Sequence, residues 1–549
     1  MAAELPGEIW TRIFDLAADE DLLFQPGIPT SMAESAWYKD FIVDQWRLRS
    51  PQEAMNLLQR RSYDTKRAII STCRQWRKWG SEFLFRCLYF SKPAKFILLC
   101  AILDASSATT TTVTSSQGWW SRRLHISRDY HRFTGQTTME DVEQSLVSII
   151  RHCPNLEMFV VERPLGAAFG PIVDALSRHS HRHLHTVRWN IPGESLAKVI
   201  WALNALPRLM AAQIDIETPV PIAQEIAYLG SANEMRLKLP RLQQLSLCGY
   251  AEEFLEQAVG WEIPALQSFS IDSGTSSHDT PDIIEFLKQH GANLTLLDLH
   301  LSPTVDLPVV LDLCPNLSAL TFNSDWPFPA RDDGSSELVN HPHWNIATIG
   351  LHGLSYAFGV GYNAVRASSQ PMSARLFTRA NDLNFAALNR RNFPKLQRVR
   401  VLSRTVLNDL NDENGPQGEG YQRWSKWWKA CVSAGISLED CTGQSLGVLP
   451  QDESVDVEDD EEEDIDDEGE EEEEEEEEDS DGTWGTDESD EEEEESEEEW
   501  ESEPPLPEPN ARVMELSRLL EEVRAMNATR DEALIRRIRI PRPPSPVDQ

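Results

Sequence analysis

The chain has 549 residues and a formal net charge of −41, and a single segment carries nearly all of that charge. Residues 451–509 contain 38 Asp and Glu and no Lys or Arg, which leaves 53 acidic against 50 basic residues elsewhere. No apolar run approaches the roughly 18 residues of a membrane helix, and the first residues lack a signal-peptide pattern. We therefore expect no membrane association, and a cytoplasmic or nuclear location.

The residues that usually bind metals form no convincing site. The eight cysteines are dispersed without a CxxC pair, which predicts reduced thiols and argues against a zinc site built from cysteine pairs. His179, His181, His183 and His185 alternate, but Arg182 interrupts them and no nearby carboxylate or cysteine completes a site. We predict a solvated loop there, no metal and no cofactor.

The chain opens with two amphipathic helical patterns. Ile9, Ile13 and Leu16 recur at helical spacing behind Pro6, whose fixed φ suits a first helical turn. A second pattern covers residues 65–85, with its basic residues on the side opposite the apolar ones. Two short helices are therefore predicted.

These two patterns resemble the F-box, and the F-box-like proteins of mushroom-type fungi in particular. LPGEIWTRIFDLA (5–17) is similar to its first helix, and TKRAIISTCRQWRKWGSEFLFRCLYF (65–90) to the remainder. In that family the helical module docks the adaptor subunit of cullin–RING ubiquitin ligases, and the rest of the chain holds a substrate. The resemblance implies an adaptor contact made by Leu5, Pro6, Ile9, Ile13, Cys73, Trp76 and Leu84.

The chain departs from an ordinary F-box by an insert at about residues 19–64. Its aromatic residues Trp37, Phe41 and Trp46 predict a further helix over residues 32–48. Because an ordinary F-box is contiguous, the alternative is a helical cap that merely closes the following repeats. The first domain is predicted to span residues 1–92.

A repeated pattern dominates the middle of the chain. The template apolar-x-x-apolar-x-apolar recurs with starts 23 to 31 residues apart between Leu156 and Ile346. Its last two apolar positions alternate with polar ones, as a short strand with one buried face requires. The predicted strand positions are 85–90, 156–161, 184–189, 242–247, 266–271, 294–299, 317–322, 346–351 and 396–401, with weaker copies at 124–126 and 214–216.

Strand–helix units of this size cannot bury their apolar faces alone, so neighbours must stack. We predict an α/β fold in which residues 93–443 form an irregular leucine-rich-repeat solenoid of parallel strands backed by helices. It includes a helical insertion between Ile349 and Leu396 and a capping helix around Tyr421, Trp424 and Trp428. A doubly wound enzyme is the rival, but no glycine-rich phosphate turn is present, so we expect no enzyme.

The polar strand residues are predicted to line a concave face and to contact a partner. Their charges are of both signs, which favours a protein partner over direct contact with nucleic acid. The predicted contacts are Arg188, Asp272, Asp298, His300, His352, Arg398 and Arg400.

The end of the chain differs from the body. Residues 444–509 are predicted to be disordered, because an acidic low-complexity run buries too little apolar surface to fold. Residues 510–549 are predicted to form a short amphipathic helix with a proline-rich end. The acidic run is either a solubilising spacer or a binding segment for a basic protein such as a histone.

Together these patterns favour a substrate-recognition subunit of a cullin–RING ubiquitin ligase, with the adaptor subunit and a protein substrate as partners. Two alternatives stay open. One is a repeat scaffold, and the other an acidic-tailed protein that binds histones or other basic proteins, in both cases without a ligase link.

Overall fold

The computed structural model describes residues 6–40, 45–90, 94–109, 117–127, 139–166, 169–217, 229–273, 282–300, 305–326 and 338–447. These residues belong to one compact unit, Met1–Val455. Leu5, residues 448–509 of the segment predicted to be disordered, and the helix predicted within 510–549 lie outside the described residues. Residues 444–447 of that segment are described, and Leu446 is only 2% exposed.

The amino-terminal region consists of four helices and one hairpin. The antiparallel hairpin separates the first two helices from the last two. The elements are α1 (Gly7–Ala17), α2 (Glu20–Leu23), β1 (Ala36–Asp40), β2 (Gln45–Arg49), α3 (Pro51–Thr72) and α4 (Arg74–Arg86).

The helix predicted over residues 32–48 is wrong, because these residues include the β1–β2 hairpin. Trp37 pairs across the strands with Leu48, and both pack on the main apolar core. Aromatic residues at this spacing fit a half-buried strand as well as a helix, so the pattern did not separate the two.

Helix α3 begins far ahead of the predicted position 65. Ser50 accepts from the amide of Glu53 at 3.1 Å while Glu53 accepts from the amide of Ser50 at 2.5 Å, with Pro51 in the first helical position. This capping box is a strong start signal. The helix ends at Thr72, since Cys73 is extended and its thiol accepts from the amide of Trp76 at the start of α4.

Within the described ranges, twelve strands form one parallel sheet in which each strand lies beside the next strand along the chain. The strands are β3 (Cys87–Phe90), β4 (Arg123–Ile126), β5 (Met158–Pro164), β6 (Thr186–Pro192), β7 (Ala211–Glu217), β8 (Gln244–Gly249), β9 (Ser268–Asp272), β10 (Leu296–His300), β11 (Ala319–Asn323), β12 (Thr348–His352), β13 (Arg398–Val401) and β14 (Ser437–Glu439).

Helices connect most of the strands and cover the apolar side of the sheet. Leu297 and Leu299 of β10, for example, are fully buried in a core that continues through every strand from β3 to β14. The helices are α5 (Ala94–Thr109), α6 (Met139–His152), α7 (Phe169–His179), α8 (Leu196–Ala205), α9 (Glu252–Ala258), α10 (Asp282–His290), α11 (Leu307–Leu313), α12 (Gly361–Ser369), α13 (Pro371–Ala387), α14 (Arg404–Asp412) and α15 (Gly418–Ala434).

The strand pattern read from the sequence is confirmed at every predicted position, and β14 is an additional strand. Helices α12 and α13 form the expected insertion, and α15 occupies the position of the expected capping helix. Its most buried residues are Trp427 and Cys431, whereas Tyr421 is exposed, so the buried face differs from the predicted one. None of the described helices is long and apolar enough to cross a membrane.

Candidate interaction surfaces

The outer side of α1 carries an apolar stripe. Ile9, Ile13 and Leu16 are 46%, 39% and 59% exposed, and they follow one another at helical spacing. Pro6, at the N-cap of the helix, is exposed at one end of the stripe. A row of large apolar side chains in water is typical of a protein-binding surface.

A small aromatic core supports the stripe from beneath. Phe14 meets Phe83 edge to face at 5.9 Å between ring centroids, and Ile69 completes the buried centre. Trp76 lies 4.7 Å from Trp10, so the predicted contact residue Trp76 mainly joins α4 to α1. Of the other predicted adaptor contacts, Cys73 is exposed at the start of α4 and Leu84 is half-buried.

Buried charges also hold this cluster of α1–α4, hereafter the helical cluster. Lys66 is 1% exposed and lies 2.7 Å from the carboxylate of Glu20. Arg86 reaches the same carboxylate at 2.7 Å and contacts Asp15 at 2.9 Å and Glu82 at 2.6 Å. Burial alone would lower the pKa of Arg86, but the negative charges of Glu20 and Glu82 outweigh it and raise that pKa.

The side of the sheet opposite the apolar core is hereafter the polar face. In-register strand residues form rows across it, such as Ser246, Ser270 and Asp298 on β8, β9 and β10. The sequence predicted an open partner surface here. In the structure the chain itself covers the centre of this face.

Residues 24–35, which connect α2 to β1, cross the polar face and are hereafter the crossing segment. At its start the carbonyl of Leu23 accepts from the Arg123 guanidinium of β4 at 2.6 Å. Further along, Gln244 of β8 accepts from the amide of Ile28 at 3.0 Å and donates to its carbonyl at 2.8 Å. At its end the amide of Ser35 donates to the carbonyl of Cys441, just beyond β14, at 2.9 Å.

The crossing segment also explains a glycine in a strand. A Cβ at Gly350 of β12 would lie 2.7 Å from the sulfur of Met32 and 2.7 Å from Cγ2 of Thr321. Because a side chain would push the segment away, glycine here permits the close approach.

Two predicted partner contacts are corrected, because Arg400 and Asp298 are only 3% and 5% exposed. Arg400 donates to Glu439 at 2.8 Å and to the carbonyl of Met32 at 3.0 Å, so it anchors the crossing segment. Burial would raise the pKa of Asp298, but its hydrogen bond to His352 and the histidine's charge outweigh this and lower the pKa to about 2.

The other predicted partner contacts are at least partly exposed to solvent. Asp272 and His300 are 3.1 Å apart and about two-fifths exposed, and the His300 ring lies 4.7 Å from that of His352. The hydrogen bond to Asp272 raises the pKa of His300 in spite of partial burial. Arg398 is exposed, and Arg188 is half-buried between Glu162 and Asp215.

Helix α3 covers the β4 end of the polar face through a buried polar contact. Gln59 lies 2.6 Å from Nδ1 of His125, whose Nε2 lies 3.1 Å from Glu162. Burial lowers the pKa of His125 to about 4 despite that carboxylate, so the imidazole is neutral at neutral pH. Sequence reasoning missed Gln59, His125 and Gln244, because isolated polar residues carry no periodic signal.

Among the described residues, no group of three or more His, Cys, Asp or Glu is arranged to hold a metal ion. The chain matches no protein-family model and no curated protein.

Proposed function

We propose that this chain is a substrate-recognition subunit of a cullin–RING ubiquitin ligase. In this proposal the helical cluster is an F-box-like module that docks the ligase adaptor. The twelve-stranded sheet is a leucine-rich-repeat-like body that holds a protein substrate. Its support is the F-box resemblance of the amino-terminal segments together with the helical cluster and the parallel sheet of strand–helix units that follows it.

The observation that carries the proposal is the apolar stripe of Ile9, Ile13 and Leu16. These side chains are exposed although the same helix buries Phe14 completely. Isolated exposed apolar residues need no explanation, but a continuous stripe on a rigid base favours a permanent or frequent partner. Two residues of the stripe, Ile9 and Ile13, are among those that the F-box resemblance assigns to the adaptor contact.

The proposed substrate surface is narrower than the sequence indicated. Since the crossing segment covers the centre of the polar face, substrate contact falls on the row at the strand ends. Asp272, His300 and His352 form this row, and Arg398 remains exposed near the opposite ends of the strands.

Adaptor binding tests the proposal directly. The full chain should retain the purified ligase adaptor subunit in a pull-down, and the double substitution Ile9→Asp and Ile13→Asp should abolish retention. Two charges placed in a desolvated apolar contact remove its central anchors, which corresponds to a loss of about 100-fold or more in affinity.

A matched control is available on α5. Leu98 and Ile102 are 65% and 48% exposed, so Leu98→Asp with Ile102→Asp introduces the same charges on a comparable apolar surface. This control should bind the adaptor like the wild type. Failure of the wild type to bind would reject the ligase proposal and favour the scaffold.

The acidic run supports a second candidate function. A block of 38 carboxylates without a counter-charge attracts basic proteins over long distances and is screened by salt. If binding histones or similar proteins is the main function, the isolated segment 451–509 should bind them nearly as well as the whole chain. A shuffled version of the segment, which keeps the charge, separates specific binding from simple attraction.

A further inference from the structure

A cavity of about 610 Å³ lies between the crossing segment, the first turns of α3 and strands β4 to β8. This volume is within the range of small-molecule sites, roughly 300–1,000 Å³. Its apolar walls include Ile28 from the crossing segment, Met55 and Leu58 from α3, and Val160 from β5. Three separate parts of the chain therefore contribute to one pocket.

A buried cation also lines this cavity. Arg123 is 4% exposed, and its guanidinium donates to the carbonyl of Leu23 and lies 3.7 Å from the sulfur of Met158. Its Nε is buried without a hydrogen-bond partner. Among the described residues, no carboxylate lies within ion-pair distance of this guanidinium. Burial lowers the pKa of Arg123, and the more distant charge of Glu162 offsets this only in part. A buried cation without a direct ion-pair partner is costly, and a ligand carboxylate would supply that partner.

The other charged residues of the lining have ion-pair partners. Arg188 lies 3.7 Å from Glu162 and 3.6 Å from Asp215, so two carboxylates offset its charge. Glu34 lies 3.4 Å from Arg400, which is outside the lining. Among the described residues, Arg123 is therefore the charged residue of the lining that has no oppositely charged group within ion-pair distance.

We propose that this cavity binds a small organic acid, with one carboxylate on Arg123 and an apolar body against the surrounding walls. A single cation without a direct ion-pair partner, set among apolar walls, fits a monocarboxylate better than a phosphate ester, which carries more charge and requires more donors. The ligand would touch the crossing segment, α3 and the sheet together, and so would fasten the segment to the polar face. This inference does not depend on adaptor binding.

Calorimetric titration of the full-length chain tests the inference. The probes are decanoate and 2-naphthoate, with 1-decanol and inorganic phosphate for comparison. At least one carboxylate should bind saturably and raise the melting temperature, because a ligand that binds only the folded state stabilises it. Decanol and phosphate should each bind at least about tenfold more weakly, since each lacks one of the two required features.

Two variants locate the site. Ala54→Phe fills the cavity from α3 and should abolish carboxylate binding, and Arg123→Gln should weaken it about tenfold or more. Arg208→Gln, at an exposed arginine outside the lining, is the control for loss of an arginine and should bind like the wild type. If Arg123→Gln does not fold, the loss of carboxylate binding in Ala54→Phe still tests whether the ligand occupies this cavity. Absence of saturable binding by both carboxylates, or unchanged binding in Ala54→Phe, would overturn the proposal.

Discussion

The helical cluster and the twelve-stranded sheet differ in which side chains they bury and which they expose. The sheet buries apolar residues from every strand in one continuous core and keeps polar groups on the other face. The helical cluster buries Glu20 and Lys66 beside a small apolar core centred on Phe14, and it leaves Ile9 and Leu16 in water. A structure optimised only for its own stability would bury the apolar side chains and leave the charged ones in water. This difference supports the proposal that the helical cluster docks a partner.

The largest expected effect comes from breaking the buried ion pair of the helical cluster. Glu20→Ala leaves Lys66 and Arg86 without their shared carboxylate, so the free energy of unfolding should fall by about 3–5 kcal/mol. Urea unfolding followed by tryptophan fluorescence measures this. The double variant Glu20→Ala with Lys66→Met should recover part of the loss, because it removes the unpaired ammonium. No recovery would mean that Glu20 acts through Arg86 alone.

The next effect concerns the place where the two regions meet, at His125. In the folded protein its pKa is about 4, against roughly 6.5 in the unfolded chain. Between these pH values the unfolded chain binds a proton at His125 that the folded protein does not bind. The contribution of the neutral His125 to the free energy of unfolding is therefore fully present above pH 6.5 and is lost as the pH falls towards 4. Urea unfolding should show a loss of roughly 2 kcal/mol at pH 5 relative to pH 7.5 from this residue.

The control for this pH effect is a second histidine substitution. His125→Gln should make the pH dependence shallower, whereas His183→Gln, at an exposed position, should leave it unchanged. Equal pH slopes in the wild type and in His125→Gln would contradict the neutral buried imidazole.

A smaller effect tests how the crossing segment is held on the polar face. Gln244→Ala removes both hydrogen bonds to Ile28, which contribute about 1–2 kcal/mol together. Because the segment has no regular structure of its own, hydrogen exchange should accelerate at residues 24–35 and remain slow in the strands. Gln213→Ala on the neighbouring strand is the control and should not accelerate it. Unchanged exchange in Gln244→Ala would show that other contacts hold the segment.

The sequence allowed prediction of the sheet but not of what covers it. Repeated apolar spacing located the strands, because each repeat must bury the same face of the same unit. The crossing segment has no periodicity, and its anchors Arg400 and Gln244 are ordinary polar strand residues in the sequence. Gly350 carries a local signal that the repeat pattern does not use, since glycine inside a strand indicates a close approach by another part of the chain.

The helical cluster was predictable for a different reason. The amphipathic patterns located α1, but the pattern over residues 65–85 joined the end of α3 to α4 and missed the break at Cys73. The exposed positions of Ile9 and Ile13 agree with helical spacing. The buried pair of Glu20 and Lys66 had no such signal, because charged residues far apart in sequence are normally solvated.

The most direct test of the central claim is hydrogen exchange of the full-length chain with and without the ligase adaptor subunit. Binding through the stripe should slow exchange in α1 (Gly7–Ala17) and leave strands β4 to β8 unchanged, because those strands lie under the crossing segment. Slower exchange confined to α1 and its immediate neighbours is the predicted result. Unchanged exchange in α1 at saturating adaptor would contradict the claim that this helix is the docking surface.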